Sequence, residues 1–335
     1  MADPVFGPVL ILGGYGSVGS RTGRALRQLH PDLPLVIAGR DNAKAKALAA
    51  ELGRATSAPL DLARGDLGLP ADLKPAVVLT AVRDLSLRTQ NWAAAQGAAY
   101  VALSDGVFEV GPAIAGFIRR PSAPPVVLLG HSMGSVPALA ALHAASDFER
   151  VDAIEVGLVF DPADPLGLAS QKDMDRIGAI GPAPLVRSEG LWRWIGTPQT
   201  QRSFTGVDGC VHAGATVGLV DVFSLSASEA RSVRVDFAEG QTASTLRGAG
   251  PSHEVIIEIT GLRKDGREGR FRWELVDPDG YAALSAKGIA VVIEGLFGLA
   301  GKPRPISGLH LPETLVDTGH LMRRLAKFGI TMREV

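Results

Sequence analysis

The chain has a single cysteine, Cys210, which excludes an internal disulfide and any cysteine-rich metal site. It also lacks any apolar run of the ~18 residues that a membrane-spanning helix needs. Its first residues, Met1 to Pro8, have neither the basic segment nor the long apolar core of a signal peptide. An excess of one charge is missing too: 34 Lys and Arg stand against 35 Asp and Glu, a net of −1. Nucleic acid or an anionic membrane as obligate partner would call for a concentrated basic surface, so neither is expected. These absences describe a soluble protein, expected in the cytoplasm. Glycine and proline, by contrast, are plentiful, at 40 and 22 of 335 residues, and imply many tight turns. With 46% hydrophobic residues the chain can fill one large core or two ordinary ones.

From Pro8 to about Gly130, short apolar strands alternate with alanine-rich helices. The strands read as Val9–Leu12, Leu35–Ala38, Val77–Ala81, Tyr100–Leu103 and Val126–Leu129, and Ala58–Leu62 is a further candidate. The helices read as Val18–Leu29, Ala43–Leu52 with Asp41 as N-cap and Gly53 at its end, and Leu87–Gln96 before Gly97. Such alternation predicts an α/β domain whose parallel sheet is covered on both faces. After Gly130 a helix, Val136–Ala145, leads into strand-like segments at Ala153–Phe160, Val233–Phe237, Glu254–Thr260 and Arg270–Leu275. These predict a second α+β domain with a mixed or antiparallel sheet and one wet face. Asp161 to Gly209 is rich in Pro and Gly with weak periodicity, as in a lid, a binding loop or a dimer arm. Two helices close the chain, Tyr281–Ala300 and an interrupted Leu311–Lys327. The expected division is a dinucleotide-binding domain over 1–132 and a substrate or dimerisation domain over 133–280. The helices of 281–335 are expected to return to the first.

The most specific motif is Val9-Leu-Ile-Leu-Gly-Gly-Tyr-Gly-Ser-Val-Gly19. It holds G-x-G-x-x-G at Gly14, Gly16 and Gly19, with Gly13 in front. In a dinucleotide-binding unit the first glycine makes the tight turn, the second lets backbone approach a pyrophosphate, and the third lets helix and strand pack closely. The helix N-terminus then presents unpaired N–H groups and partial positive charge to the phosphates. An apolar strand before, an amphipathic helix after and a second strand about 20 residues on supply the required context. Gly13, Gly14, Tyr15, Gly16, Ser17, Val18 and Gly19 are therefore candidate cofactor-binding residues. The second strand ends Ile37-Ala-Gly-Arg-Asp41, with Gly39 and Arg40 where NAD sites place an acidic residue for the ribose 2′-hydroxyl. A guanidinium there can clamp a 2′-phosphate, so Arg40, with Lys44 nearby, favours NADP over NAD. The competing reading leaves Arg40 solvated and gives the ribose to Asp41.

Leu12-Gly-Gly-Tyr-Gly-Ser-Val-Gly-Ser20 followed by Ile37-Ala-Gly-Arg40 resembles the saccharopine dehydrogenase-like (saccharopine reductase-like) oxidoreductases. Val77-Val-Leu-Thr-Ala81, Tyr100-Val-Ala-Leu-Ser-Asp105 and Leu309-His-Leu-Pro-Glu313 agree with elements of that family. The resemblance covers the first 130 residues well and thins from there to about Asp279. It implies a Rossmann domain, a second domain of mixed sheet and helices, and NAD(P)-dependent chemistry at a C–N bond of amino-acid-derived secondary amines. It also implies that the loop after the fourth strand, including Ala81 and Val82, lies beside the nicotinamide. There the chain departs from the family: Thr80-Ala-Val-Arg-Asp84 replaces Asn-Ala-Ala-Gly-Pro or similar, bringing an unusual Arg83–Asp84 pair.

Gly130-His-Ser-Met-Gly134 matches the G-x-S-x-G nucleophile elbow of α/β-hydrolases, with Ser132 as nucleophile and His253, His310 or His320 as base. The chain has no His-Gly-Gly-Gly oxyanion loop, and Pro137 fits a strand end entering a second domain. Under the cofactor reading, His131 is the candidate proton donor or acceptor, set against a histidine that merely packs. Asp105 and Asp84, at neighbouring strand ends, are candidates for orienting a substrate amine, set against N-capping. Arg187, Trp192, Arg193 and Trp194 form a basic–aromatic cluster suited to a carboxylate or to anchoring a homodimer, and no metal site is assigned. A protein that binds NADP without turnover is the remaining alternative.

Overall fold

In the computed structural model, which describes residues 6–103, 106–107, 110–168, 170–172, 175–176 and 183–335, the chain divides into two units. One comprises Met1–Asp105, Glu109–Leu129 and Ile289–Val316, the other Gly106–Phe108, Gly130–Gly288 and Asp317–Val335.

The first unit is built on six short strands: β1 (Val9–Leu12), β2 (Leu35–Gly39), β3 (Ala55–Pro59), β4 (Val77–Thr80), β5 (Ala99–Ala102) and β6 (Val126–Leu128). Helices α1 (Ser17–Leu29), α2 (Asn42–Leu52), α3 (Arg88–Ala95) and α4 (Val110–Arg119) alternate with them. A two-residue strand, β15 (Leu309–His310), completes a seven-stranded sheet in the order β15-β6-β5-β4-β1-β2-β3. Every pairing is parallel. β1, β4, β5 and β6 are buried along their whole length, as strands covered on both faces must be. The strand order reverses between β1 and β4, so their carboxyl ends open the crevice where such sheets bind ligands. Asp41 caps α2 as expected, its Oδ1 accepting from the amides of Ala43 and Lys44.

Two elements of this unit differ from the sequence expectation. β3 is Ala55–Pro59 rather than Ala58–Leu62, because Asp61 accepts from the amide of Ala63 and turns the chain away. α4 is additional to the expected helices: Gly111, Pro112 and Gly116 interrupt its apolar pattern.

The second unit opens with α5 (Val136–Ala145) and the long strand β7 (Phe148–Phe160). Strands β8 (Leu185–Ser188), β9 (Leu191–Trp194), β10 (Gln201–Thr205) and β11 (Val211–Thr216) follow, then a short helix, α6 (Asp221–Leu225), and β12 (Ser232–Glu239). After α7 (Ala243–Leu246) come β13 (His253–Arg263), β14 (Glu268–Asp277) and α8 (Tyr281–Leu296), whose last residues, from Ile289 on, belong to the first unit. α9 (Pro312–Leu315), α10 (Thr318–Lys327) and β16 (Met332–Glu334) end the chain. The nine-stranded sheet runs β10-β11-β12-β7-β13-β14-β16, with β8 on β12 and β9 on β8. Only β12 and β7 pair in parallel, so the sheet is mixed.

Three strands thus lie in the segment expected to be irregular. β9 is exposed along its whole length and β10 along most of it, so neither shows the apolar alternation that marks a half-buried strand. α8 stops at Leu296, short of Ala300, because Gly298 takes a left-handed conformation, φ 74°. The last helical pattern is two helices, since Val316 is extended and Asp317 caps α10 through the amide of His320.

The expected wet face of the sheet is partly dry. Phe204 of β10 lies over Gly157 and packs with Val159, Ala238 and Ile256, all buried. Around it runs a charged lattice: Arg202 reaches Glu155 at 3.0 Å, the fully buried Asp236 at 3.1 Å and Glu258 at 2.7 Å. Arg234 adds a second partner for Asp236 at 2.6 Å. Each buried charge is thus paired, as burial requires. Truncating Phe204 to alanine empties this aromatic plug. Urea denaturation of Phe204→Ala should show a loss of about 3 kcal/mol.

Candidate functional site

Two amides of the turn after β1 share one acceptor, and Gly16 N–H closes the turn on the Gly13 carbonyl at 2.9 Å. The Ala38 carbonyl of β2 accepts from the amides of both Gly13, at 2.8 Å, and Gly14, at 3.0 Å. Gly13 sits at φ 76°, which glycine adopts without a Cβ penalty. A Cβ on Gly14 would meet Ile37 Cγ2 at 2.8 Å and the Ile11 carbonyl at 2.9 Å. A Cβ on Gly19 would meet the Gly13 carbonyl at 2.6 Å. The fold itself therefore demands glycine at both positions. Gly16 is different: it is exposed, and a Cβ there would meet only the Gly13 carbonyl, at 3.1 Å.

Gly16 is also the N-cap of α1. No side chain caps this helix and its first turn carries no acidic residue. The first helical bond runs from Ser20 N–H to the Gly16 carbonyl, so the amides of Ser17, Val18 and Gly19 precede the ladder. Glycine cradle, uncapped helix start and crevice coincide, and the residues present fit a pyrophosphate.

At the tip of β2, Arg40 is exposed and the Asp41 carboxylate is committed to the start of α2. The capping is done by Oδ1, while Oδ2 has Lys44 Nζ at 3.9 Å. The Tyr15 ring lies against Gly39, where any Cβ would overlap ring atoms, and its hydroxyl accepts from the Asp41 amide at 3.0 Å. Across the switch point, Val82 packs on Gly13, and Ala81 N–H donates to the Leu12 carbonyl at 2.9 Å. The loop containing Ala81 and Val82 thus abuts the glycine turn. Thr80, buried at the end of β4, has a side-chain oxygen with no partner among the described residues.

Asp84 is occupied otherwise than by a substrate amine. Its carboxylate accepts from Ser86 N–H at 3.0 Å, Ser86 Oγ at 2.6 Å and Thr89 N–H at 2.7 Å, which organises the start of α3. Burial opposes its charge, but these hydrogen bonds outweigh burial and hold its pKa below the usual carboxylate range. Asp105 lies outside the described residues.

In the second unit, His131 is buried and its Nε2 meets Ser224 Oγ at 2.7 Å, while Nδ1 has no partner among the described residues. Burial lowers its pKa to about 3, so the ring is neutral near pH 7. Next to it, Ser132 donates from its hydroxyl to Asp221 Oδ1 at 2.6 Å and from its amide to Oδ2 at 2.8 Å. This overturns the nucleophile-elbow reading. Ser132 is buried and bound to a carboxylate rather than an imidazole, and the left-handed residues are Met133, Gly134 and Ser135, after the serine. His253 packs edge-on against Phe160, and the ring nitrogens of His310 face Thr314 and Ser307. His320 accepts from Arg324. Asp221 escaped sequence reading because no local pattern ties it to a serine 89 residues away.

The basic–aromatic cluster is a hairpin rather than a loop, with Arg187 of β8 paired to Trp192 of β9. Trp192 and Trp194 are 47% and 55% exposed, and Trp192 meets Phe223 edge-on.

The sequence matches no family model, and no curated protein matches it. The fold, however, has solved counterparts. Saccharopine dehydrogenase (L-Glu forming) from Saccharomyces cerevisiae superimposes with a TM-score of 0.63 at 12% identity, over 98% of this chain and 100% of that one. The myo-inositol 2-dehydrogenase from Lactobacillus plantarum does so with a TM-score of 0.50 at 11% identity, over 99% and 100%. At such identities the likeness is one of fold: a Rossmann sheet with a second, mixed-sheet unit.

Burial pushes Asp221 up to about 6 against the pull of the two Ser132 hydrogen bonds. A raised carboxyl pKa stabilises the fold below the unfolded value and loses that contribution as pH rises through the folded one. Buried His131 and His253 act in the opposite sense, but their contributions cancel between wild type and Asp221→Asn. The stability of wild type relative to that variant should therefore fall by about 2 kcal/mol between pH 4 and pH 7 in urea titrations. A flat difference would mean that Asp221 titrates normally.

Proposed function

We propose that this chain is an NADP-dependent oxidoreductase that transfers hydride between NADPH and an imine of an amino-acid-derived substrate, or runs the reverse oxidation of a secondary amine. The observation that carries the cofactor reading is the contrast among the glycines. A Cβ on Gly14 or Gly19 would come within 3.0 Å of backbone, whereas on the exposed Gly16 it would press on the Gly13 carbonyl alone, at 3.1 Å, so the fold's demand is weaker there and a close-lying ligand gives the missing methyl its larger reason. The capping role of Asp41 supports NADP over NAD, because it draws one carboxylate oxygen toward α2 while Arg40 stands exposed at the β2 tip.

Within this reading the first unit takes the dinucleotide and the second the substrate. The amides of Ser17, Val18 and Gly19 hold the pyrophosphate, Arg40 clamps the 2′-phosphate, and Ala81 and Val82 line the nicotinamide side. When bound, the nicotinamide would supply a hydride to the imine carbon while the nitrogen takes a proton from the protein or from water. His131 is assigned to the substrate as a neutral hydrogen-bonding group. Burial keeps its ring uncharged near pH 7, so it orients the substrate rather than supplying the proton, and Ser224 fixes its ring. Asp84, committed to α3, is left with a positioning role for the nicotinamide-side loop. The shared fold with saccharopine dehydrogenase and the sequence resemblance of the first 130 residues support C–N chemistry.

Two measurements test the reading. NADPH oxidation with a panel of keto acids plus amines should give turnover. In calorimetry, Arg40→Ala should weaken NADPH by at least tenfold and NADH by less than twofold, since a charge-assisted contact to a phosphate is worth roughly 1.5–3 kcal/mol. Equal losses for both nucleotides would refute the 2′-phosphate assignment.

A further inference from the structure

A carboxylate at the end of β2 is the usual reader of the adenosine ribose, and here the geometry forbids one. Position 39 has no room for a Cβ, let alone a carboxylate, because the Tyr15 ring occupies that space: a Cβ would come within 2.8 Å of Cδ1 and 3.0 Å of Cζ, and closer still to Cε1. The phenol belongs to the glycine turn itself, one residue before Gly16, yet its tip reaches the other strand. Its hydroxyl oxygen accepts the Asp41 amide at 3.0 Å. A phenol O–H is both acceptor and donor. With the acceptor side held by Asp41, the proton is left to point away from the backbone. Tyr15 is half-buried and Arg40, its neighbour at this corner, is exposed, so both are positioned to be met by a ligand.

We infer that Tyr15 and Gly39 form a matched pair that reads the 2′ position of the cofactor's adenosine ribose. The phenol stands in the place of the tip carboxylate and donates its proton to a 2′-phosphate that Arg40 also binds. The inference rests on the dinucleotide reading and adds to it a discriminating residue that is not cationic. A carboxylate at this tip would accept from a 2′-hydroxyl and repel a 2′-phosphate; a phenol donor binds the anionic oxygens of a 2′-phosphate more strongly than a neutral hydroxyl. Gly39 is then required for selectivity through Tyr15, because any side chain there would displace the ring.

The test uses the full-length protein and two fragment probes, adenosine 2′,5′-bisphosphate and adenosine 5′-monophosphate, titrated by calorimetry. Tyr15→Phe keeps the ring over Gly39 and removes only the hydroxyl. It should weaken the bisphosphate by about tenfold and the monophosphate by less than threefold. Tyr15→Ala combined with Gly39→Asp should reverse the preference, so that the monophosphate binds more tightly than the bisphosphate. Circular dichroism of each variant establishes that it is folded. Unchanged discrimination in Tyr15→Phe, with wild type binding the bisphosphate, would overturn the role of Tyr15 and leave the dinucleotide reading standing. Wild type that binds neither the fragments nor NADPH would overturn both.

Discussion

The first unit depends on one carbonyl. Ala38, at the end of β2, accepts the amides of Gly13 and Gly14 together and so bends the chain sharply as it leaves β1. That bend brings the Gly13 carbonyl under α1, where only a glycine at position 19 fits. It also sets Gly13 against Val82, which couples the glycine turn to the loop after β4. A turn made this way leaves the start of α1 with no capping side chain among the described residues and no acid in its first turn to offset its partial positive charge. The anion-binding character of the site thus follows from the backbone, and the residues around it decide which anion it prefers.

The second unit solves a different problem, the burial of polar groups beneath a curled sheet. Asp221 binds both polar groups of Ser132, and Ser224, one helical turn on, takes His131. The helix α6 therefore fastens two consecutive residues just after the chain enters this unit. Asp161 plays a similar part elsewhere, gathering the amide and hydroxyl of Thr242 and the hydroxyl of Thr245. Such networks are costly when half satisfied. His131 Nδ1, His253 Nε2 and Ser252 Oγ are buried without a partner among the described residues.

Much of the first unit was legible from sequence because its strands are buried on both faces and read as continuous apolar runs. Its helices carry their punctuation openly, in Asp41 before α2 and Gly53 after it. The strands of 185–205 were not legible, because exposed edge strands such as Leu-Trp-Arg-Trp carry no burial pattern. The glycine motif announced the site, but the separate demands on its members became visible only from what a methyl group would meet at each. Asp84 and Asp41 illustrate the limit of reading residue type alone. Both are acids at strand ends, and in both the carboxylate is taken up by the first amides of the following helix. Ser132 shows the same limit in a motif: G-x-S-x-G fixes spacing, while the partner that decides its chemistry lies far along the chain.

The central claim is that Gly16 is glycine for the sake of a bound pyrophosphate rather than for folding. Titrating NADPH into wild type and Gly16→Ala, with thermal unfolding of both in its absence, measures this directly. The account predicts that the two proteins unfold within a few degrees of each other and that only wild type binds. Equal binding by both, or binding by neither, would contradict it.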